Sequence, residues 1–328
     1  MSKKRKKPYL GIDLGGTKIL AAVVSPKGKI LGQAKQPTPA GEGPAAVIPR
    51  IAETARKAAG KAGVALADVG GIGIGAPGVV DSQAGVVRVA PNLAFWEAVP
   101  LGERLSNLLE RPVVVGNDVD VATYGEYALG AGRGSQSVIG IFPGTGIGGA
   151  LILDGKMHSG ARGSASEVGH MVLVADGPVC TCGRRGHAEA LASRTAIERD
   201  LRIAMQFGQE TILNELVGPE DRIRSGTLAK AARAGDRLVL ETLARTGFYL
   251  GLLAGSLVNL IDPEVIIFGG GLIEACADWI MPPLYGTARE HMINMLDVAD
   301  VRIEVAALGD YAGVLGAAML ARASFPPG

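Results

Sequence analysis

Short apolar runs interrupted by glycine turns recur along this chain and predict strands. In YLGIDLGGTKILAAVV, residues 9–24, the run Leu10 to Ile12 leads into Asp13 and the turn Gly15-Gly16-Thr17-Lys18, and Ile19 to Val24 follow. Residues 139–156, IGIFPGTGIGGALILDGK, repeat this grammar: Ile139 to Phe142 enters the turn Gly144-Thr145-Gly146, and Ile147 to Leu153 leaves it. The exits match as well, Pro26-Lys27-Gly28 after the first pair and Asp154-Gly155-Lys156 after the second. Elsewhere the apolar period becomes helical. Val47, Ile51 and Ala55 stripe a helix over 44–62, and further helices are predicted over 101–110, 119–130, 189–206, 226–234, 236–261 and 310–323. Strands are predicted near 29–36, 69–74, 112–115, 265–268 and 301–305, while 157–187 reads as irregular. Helices alternating with strands predict an α/β architecture with largely parallel sheets.

Glycines at a tight reversal let the backbone approach a ligand and leave N–H groups free for an anion. Asp13 adds a carboxylate at the end of its strand, where a hydrated Mg²⁺ could be held. Either turn alone also suits an ordinary β-hairpin with a polar tip. Two of them about 130 residues apart predict a duplicated fold with two facing phosphate clamps. The pattern G-x-G-x-x-G occurs at Gly73 to Gly78 and at Gly144 to Gly149, but extended residues follow each. A dinucleotide site needs a helix there, so neither supports one. No Walker A loop is present.

Composition narrows the class. With 328 residues, two domains are expected, and 48% hydrophobic against 20% charged residues describes a globular chain. The net charge of +1 includes Lys3, Lys4, Arg5, Lys6 and Lys7; without them 28 basic residues face 32 acidic ones. The folded body therefore carries no global attraction for nucleic acid, and the basic tail is expected to be solvated. Asp13 interrupts the first apolar segment too early for a secretory signal. The candidate membrane stretch, Phe248 to Ile261, is too short to span and holds Ser256 and Asn259. Three cysteines make no disulfide framework, which fits a reducing cytoplasm.

Three groups of residues can carry chemistry. Asn117-Asp118 follows a strand and precedes a helix, the address where α/β sheets bind ligands. Asp118 there suits a general base that draws the proton from a hydroxyl, and it equally suits a helix cap. Cys180-Thr181-Cys182, His187 and the upstream His170 gather thiolates and imidazoles in a set of four, as tetrahedral Zn²⁺ prefers. A closed site of this kind is structural; it would pin Glu167, His170 and Glu189 facing a ligand. Gly269-Gly270-Gly271 closes a strand and offers a floor for a nucleotide, or simply turns the chain into a helix. Asn92 could bond a sugar hydroxyl, and Trp96 is expected at the edge of a cleft. His158 and His291 read as structural, and Cys276 as a buried small hydrophobe.

Together these motifs resemble the ROK family (repressors, open reading frames and kinases), within the sugar kinase, actin and heat-shock ATPase superfamily. The resemblance spans Tyr9 to Ala323, and its most specific part pairs E-x-G-H at 167–170 with C-x-C-G-x-x-G-x-x-E at 180–189. It implies a duplicated ribonuclease H-like, actin-like ATPase fold of two domains with a ligand cleft between the halves. The expected division is a tail at 1–8, a first domain of 9–118 plus helix 310–323, and a larger second domain of 119–309 with the zinc loop. The implied activity is ATP-dependent phosphorylation of the 6-hydroxyl of a hexose. Glucose is the first choice, with mannose, fructose, N-acetylglucosamine or N-acetylmannosamine as other acceptors and polyphosphate as another donor. By the same resemblance Asp118 is the catalytic base, and Asn92, Asn117, Glu167, His170 and Glu189 bind sugar beside the loop ending at Gly78. Asp13, Gly15, Gly16, Thr17 and Lys18 match the first phosphate region, Gly144, Thr145 and Gly146 the second, and Gly269, Gly270 and Gly271 the nucleotide end. The implied cofactors are Mg²⁺ with ATP and a structural Zn²⁺; the implied assembly is a homodimer or homotetramer, without nucleic acid or membrane. One departure stands out, since His187 occupies the place of a third cysteine in the family's zinc motif. Repressors of the family carry a DNA-binding domain before the kinase-like body, and the eight residues ahead of the first strand are too few for one.

Overall fold

The computed structural model describes residues 7–293 and 300–326, so most of the basic tail lies outside the described residues. The chain packs into two units, one of Met1–Gly134, Ser159–Ala165 and Asp310–Gly328, the other of Ser135–His158 and Ser166–Gly309. The first begins with β1 (Tyr9–Leu14), β2 (Lys18–Val24), β3 (Ile30–Pro37) and α1 (Pro44–Ala62). It continues through β4 (Ile72–Ala76), β5 (Val79–Asp81), β6 (Val86–Val89), β7 (Glu97–Val99), α2 (Leu101–Leu109), β8 (Val113–Asn117) and α3 (Asp118–Leu129). The second holds β9 (Val138–Pro143), β10 (Ile147–Leu153), β11 (Lys156–Met157), α4 (Ala188–Ala192), α5 (Arg194–Gln206), α6 (Leu213–Leu216) and α7 (Ser225–Arg233). After these come α8 (Arg237–Ile261), β12 (Val265–Phe268), α9 (Gly271–His291) and β13 (Arg302–Val305). Finally α10 (Ala312–Ser324) returns to the first unit.

The two five-stranded sheets have the same plan, β3-β2-β1-β4-β8 and β11-β10-β9-β12-β13. In each, three strands form an antiparallel meander; the first of them pairs in parallel with one later strand, which in turn pairs in parallel with another. The expectation of largely parallel sheets is therefore corrected. A glycine turn joins consecutive strands directly, and strands joined that way must run antiparallel. A third sheet joins β5, in the stretch read as extended after Gly78, to β6 and β7, which were not expected.

Small residues set the packing. The apolar face of α1 presents Val47, Ile51 and Ala55, all fully buried, to the first sheet. On the other face lies α10, at backbone distance. A Cβ on Gly11 of β1 would overlap the Val314 carbonyl, one on Gly73 of β4 the Ala317 carbonyl, and one on Gly316 the Val121 carbonyl of α3. This last contact ties α3 to α10, so the first unit runs on to Gly134 and does not end at Asp118 as expected. Trp96, expected at the edge of a cleft, is instead 2% exposed within this core, while its neighbour Phe95 is 82% exposed. In the second unit, Gly247, Gly251 and Gly255 of α8 face α9, and a Cβ on Gly247 would overlap the Ile280 carbonyl. By length and composition the 25-residue α8 could cross a membrane, more than the shorter stretch read from sequence, yet half of its apolar window is buried in this unit.

A Gly73→Ala substitution therefore has no space to occupy and should lower stability by about 1–3 kcal/mol, as overpacked cores do. Thermal unfolding followed by circular dichroism would read this loss, and Gly60→Ala, inside α1 where a Cβ meets nothing within 4 Å, is the control and should hold or raise stability.

Candidate active site

In the first unit the parallel register sets Asp13 of β1, Gly75 of β4 and Gly116 of β8 in one row, at the carboxyl ends of their strands. Asn117 and Asp118 follow at once. The turn after Asp13 is closed by Gly15 N–H donating to the Lys18 carbonyl at 2.9 Å and braced by the Thr38 hydroxyl donating to the Gly15 carbonyl at 2.7 Å. Gly16 lies beside Asn92, whose Cβ and carbonyl oxygen would sit 3.6 Å from an added Cβ. Lys18 pairs with Asp310 at 3.3 Å. The structure thus brings Asp13, Gly15, Gly16, Thr17, Lys18, Asn92, Asn117 and Asp118 together.

Asn117 is largely spoken for. Its Oδ1 accepts from Val119 N–H at 2.8 Å and Asp120 N–H at 3.3 Å, capping α3, and its amide donates to the Gly78 carbonyl at 2.8 Å. One amide N–H is left for a ligand. Gly78 has φ +90°, and a Cβ there would overlap the Val89 carbonyl, so only glycine fits. Asp118 is the first residue of α3, and the capping position belongs to Asn117. Desolvation pushes the Asp118 carboxyl above its ordinary range, partly offset by bonds from Val119 and its own N–H. Asp13 is pushed up to about 6, by desolvation first and then by the charge of Asp118, with Lys18 acting the other way. A pair of half-buried carboxylates with raised pKa values is the electrostatic signature of a site for a cation or a proton acceptor.

In the second unit the turn is closed by Gly144 N–H donating to the Gly146 carbonyl at 2.7 Å. Glu189 joins it to the cysteine loop: its Oε2 accepts from Ile147 N–H at 3.1 Å, and its Oε1 from the Thr181 hydroxyl at 2.6 Å and the Cys180 thiol at 3.3 Å. Gly146 carries no side chain because a Cβ would overlap that carboxylate. Gly270, with φ +85°, caps α9 and lies near the Pro143 carbonyl, while Gly269 is packed against the Phe142 ring. The glycine run thus stands next to the second turn, for reasons of packing that need no ligand.

His170, Cys180, Cys182 and His187 converge, with all four ligand atoms within 4.8 Å of one another. The two Nδ1 atoms are 3.3 Å apart, Cys182 Sγ is 3.3 Å from His187 Nδ1, and Cys180 Sγ is 3.8 Å from His170 Nδ1. A tetrahedron with Zn–N of about 2.05 Å and Zn–S of about 2.3 Å has edges of about 3.3 to 3.8 Å, and these three separations match it, so the donor set suits the ion. Burial, helped by Glu189, pushes the Cys180 thiol up to about 11; a bound dication would reverse this, because coordinated thiols lose their proton. Since His170 turns Nδ1 to this cluster, its Nε2 points away and lies 4.0 Å from Glu167 Oε2. Sequence reasoning missed Thr38, Arg194 and Asp310, whose partners are remote in the chain, and Thr181, whose partner Glu189 is only eight residues on. Of these, only Arg194 stood beside a visible cue, the helix-capping Ser193. His158 and His291 are on the surface and Cys276 is fully buried.

Twin sheets of one plan, each with a glycine turn between its first two strands, define a duplicated α/β fold of the actin-like ATPase type. The chain belongs to the ROK family, whose model matches residues 9–324. It is 37% identical over 322 residues to a glucokinase of Streptomyces coelicolor, covering 97% of this chain and 98% of that one. Among solved structures, a ROK hexokinase from Thermus thermophilus matches with a TM-score of 0.83 at 34% identity, over 97% and 98% of the two chains. A ROK family glucokinase from Streptomyces griseus, in complex with glucose and AMPPNP, matches with a TM-score of 0.82 at 34% identity, over 96% and 99%.

Because the folded environment raises the Asp118 pKa, its ionised form destabilises the fold. This penalty is absent below the unfolded-state value and complete above the raised one, so stability conferred by this residue falls as pH rises through that window. Asp118→Asn should therefore unfold at a higher temperature than the parent at pH 8, with the difference vanishing near pH 4. Calorimetric scans across that range would check it.

Proposed function

We propose that this chain is an ATP-dependent hexose kinase that transfers the γ-phosphoryl group to the 6-hydroxyl of glucose. The observation that carries the reading is the desolvated Asp118 carboxylate in the same strand-end cluster as Asp13 and the first glycine turn. The likeness to a glucokinase that binds glucose and AMPPNP supports it. A hexose hydroxyl is a poor nucleophile until its proton is drawn away, and a carboxylate whose pKa is raised toward neutrality is suited to that work. Asp118 accepts the proton as the hydroxyl attacks in line. Each glycine turn, Gly15 to Lys18 in the first unit and Gly144 to Gly146 in the second, offers N–H groups suited to stabilising charge on a phosphate. Asp13, a hard oxygen donor, would hold Mg²⁺ through water, and the bound ion would neutralise phosphate charge. For sugar hydroxyls the first unit offers Asn92 and the free amide N–H of Asn117, and the second offers Glu167 and His170 Nε2. Glu189, with both oxygens already engaged, orients the Cys180–His187 loop and has lone-pair capacity for one further hydroxyl.

The four-ligand cluster would hold a structural Zn²⁺, closed to water and without a catalytic step of its own. All three cysteines are unpaired, which suits a reducing compartment.

A coupled assay with purified protein, Mg·ATP and a panel of hexoses tests the function, with polyphosphate as the competing donor. Glucose with ATP should give the highest kcat/KM, and no turnover with any sugar would overturn the reading. Asp118→Asn should lower kcat by about 10²–10⁴ while leaving glucose affinity, read by calorimetry, largely intact. The parent's rate should fall on the acid side as Asp118 takes up its proton. Metal analysis should find one zinc per chain. Its removal by a chelator, or Cys182→Ser, should raise the KM for glucose and lower the melting temperature, whereas Cys276→Ser should leave zinc content unchanged.

A further inference from the structure

The start of α5 grips the second glycine turn through two consecutive residues. Arg194 N–H donates to the Gly144 carbonyl at 2.8 Å, the Thr195 hydroxyl donates to the Thr145 carbonyl at 2.7 Å, and Arg194 Nη2 donates to Thr145 Oγ1 at 2.9 Å. Ser193 fixes this end of the helix by accepting from Ala196 N–H at 3.1 Å. The bond between side chains decides what the threonine can do. A hydroxyl has one proton and two lone pairs, and a guanidinium only donates. Thr145 Oγ1 must therefore accept from Arg194, which leaves its own proton free for another acceptor. Among the described residues none takes it.

The charge around this bond points the same way. The Arg194 side chain is only 16% exposed, and its one carboxylate neighbour, Glu198, stands 3.8 Å away and is shared with Arg222 at the same distance. Burial, followed by the charges of Arg222 and Arg224, holds the Arg194 guanidinium below its ordinary pKa. Three arginines thus face a single carboxylate beside the turn. A neutral side chain could brace Thr145 without this repulsion, so the repulsion marks a place kept for an anion.

We propose that Arg194 is a positioning residue of the donor site, aiming the Thr145 hydroxyl proton at a phosphate oxygen of the nucleoside triphosphate. The inference rests on the kinase reading above and adds a residue to it. Arg194→Ala should lower kcat/KM for ATP roughly ten- to a hundred-fold, the range expected for loss of a charge-assisted hydrogen bond, with the KM for glucose unchanged. Arg194→Lys keeps the charge and one donor, and should recover part of the loss. Thr145→Val should resemble Arg194→Ala, and the double variant should be no worse than the poorer single one, since the two residues act as a pair.

Calorimetric titration of AMPPNP into each variant without sugar supplies a readout separate from turnover. Unchanged AMPPNP affinity in Arg194→Ala, fully additive losses in the double variant, or a raised KM for glucose in Arg194→Lys would each overturn the proposal. A parent protein that binds AMPPNP more tightly than Arg194→Ala yet phosphorylates no sugar would refute the kinase reading and leave this inference standing.

Discussion

Backbone meeting backbone is the contact on which the first unit depends. Gly11, Gly73 and Gly316 leave no room for a methyl group, so α10 lies directly on β1, β4 and α3. Side chains of ordinary size would hold these layers several ångströms farther apart. The close approach brings Gly313 against the Asp13 carboxylate and clamps α3, whose first residue is Asp118. Both acids are thus held at strand ends by packing that has nothing to do with their charge. Their desolvation follows from that packing, and so do their raised pKa values. Electrostatics here is a product of glycine placement.

The second unit reaches a comparable rigidity by a different route. Its glycine row lies between two helices, α8 and α9, and its functional loop is held by polar atoms. Glu189 sits at the centre, taking hydrogen bonds from a strand amide, a threonine hydroxyl and a cysteine thiol. One carboxylate therefore connects the second glycine turn to the His170–His187 cluster. The four side chains of that cluster lie within 4.8 Å of one another, with His187 among them.

Much of the fold was legible because its signals are local. Glycine-threonine turns between short apolar runs announced the two hairpins, and the period of Val47, Ile51 and Ala55 announced α1. The cysteine-histidine cluster was legible because its members fall within 18 residues of one another. What escaped was set by distance. The membership of α3 in the first unit depends on Gly316, far along the chain, and no local pattern records that contact. Arg194 meets Thr145 across 49 residues, and Lys18 meets Asp310 across 292. Trp96, expected at a cleft edge, is buried in the core beside the exposed Phe95, which takes a left-handed backbone conformation, φ 62°, that no local pattern announces. Asn117 was read as a sugar ligand alone, although its side chain also does the capping that sequence reasoning had offered to Asp118.

The route of the chain carries a consequence for biosynthesis. A layer of the first unit, α10, is translated only after nearly all of the second, whose longest stretch runs unbroken from Ser166 to Gly309. Amino-terminal domains generally mature on the ribosome first, but this first unit lacks its α10 layer until the stretch Ser166–Gly309 of the second has been made, and the face of β1 and β4 that receives α10 waits uncovered until then.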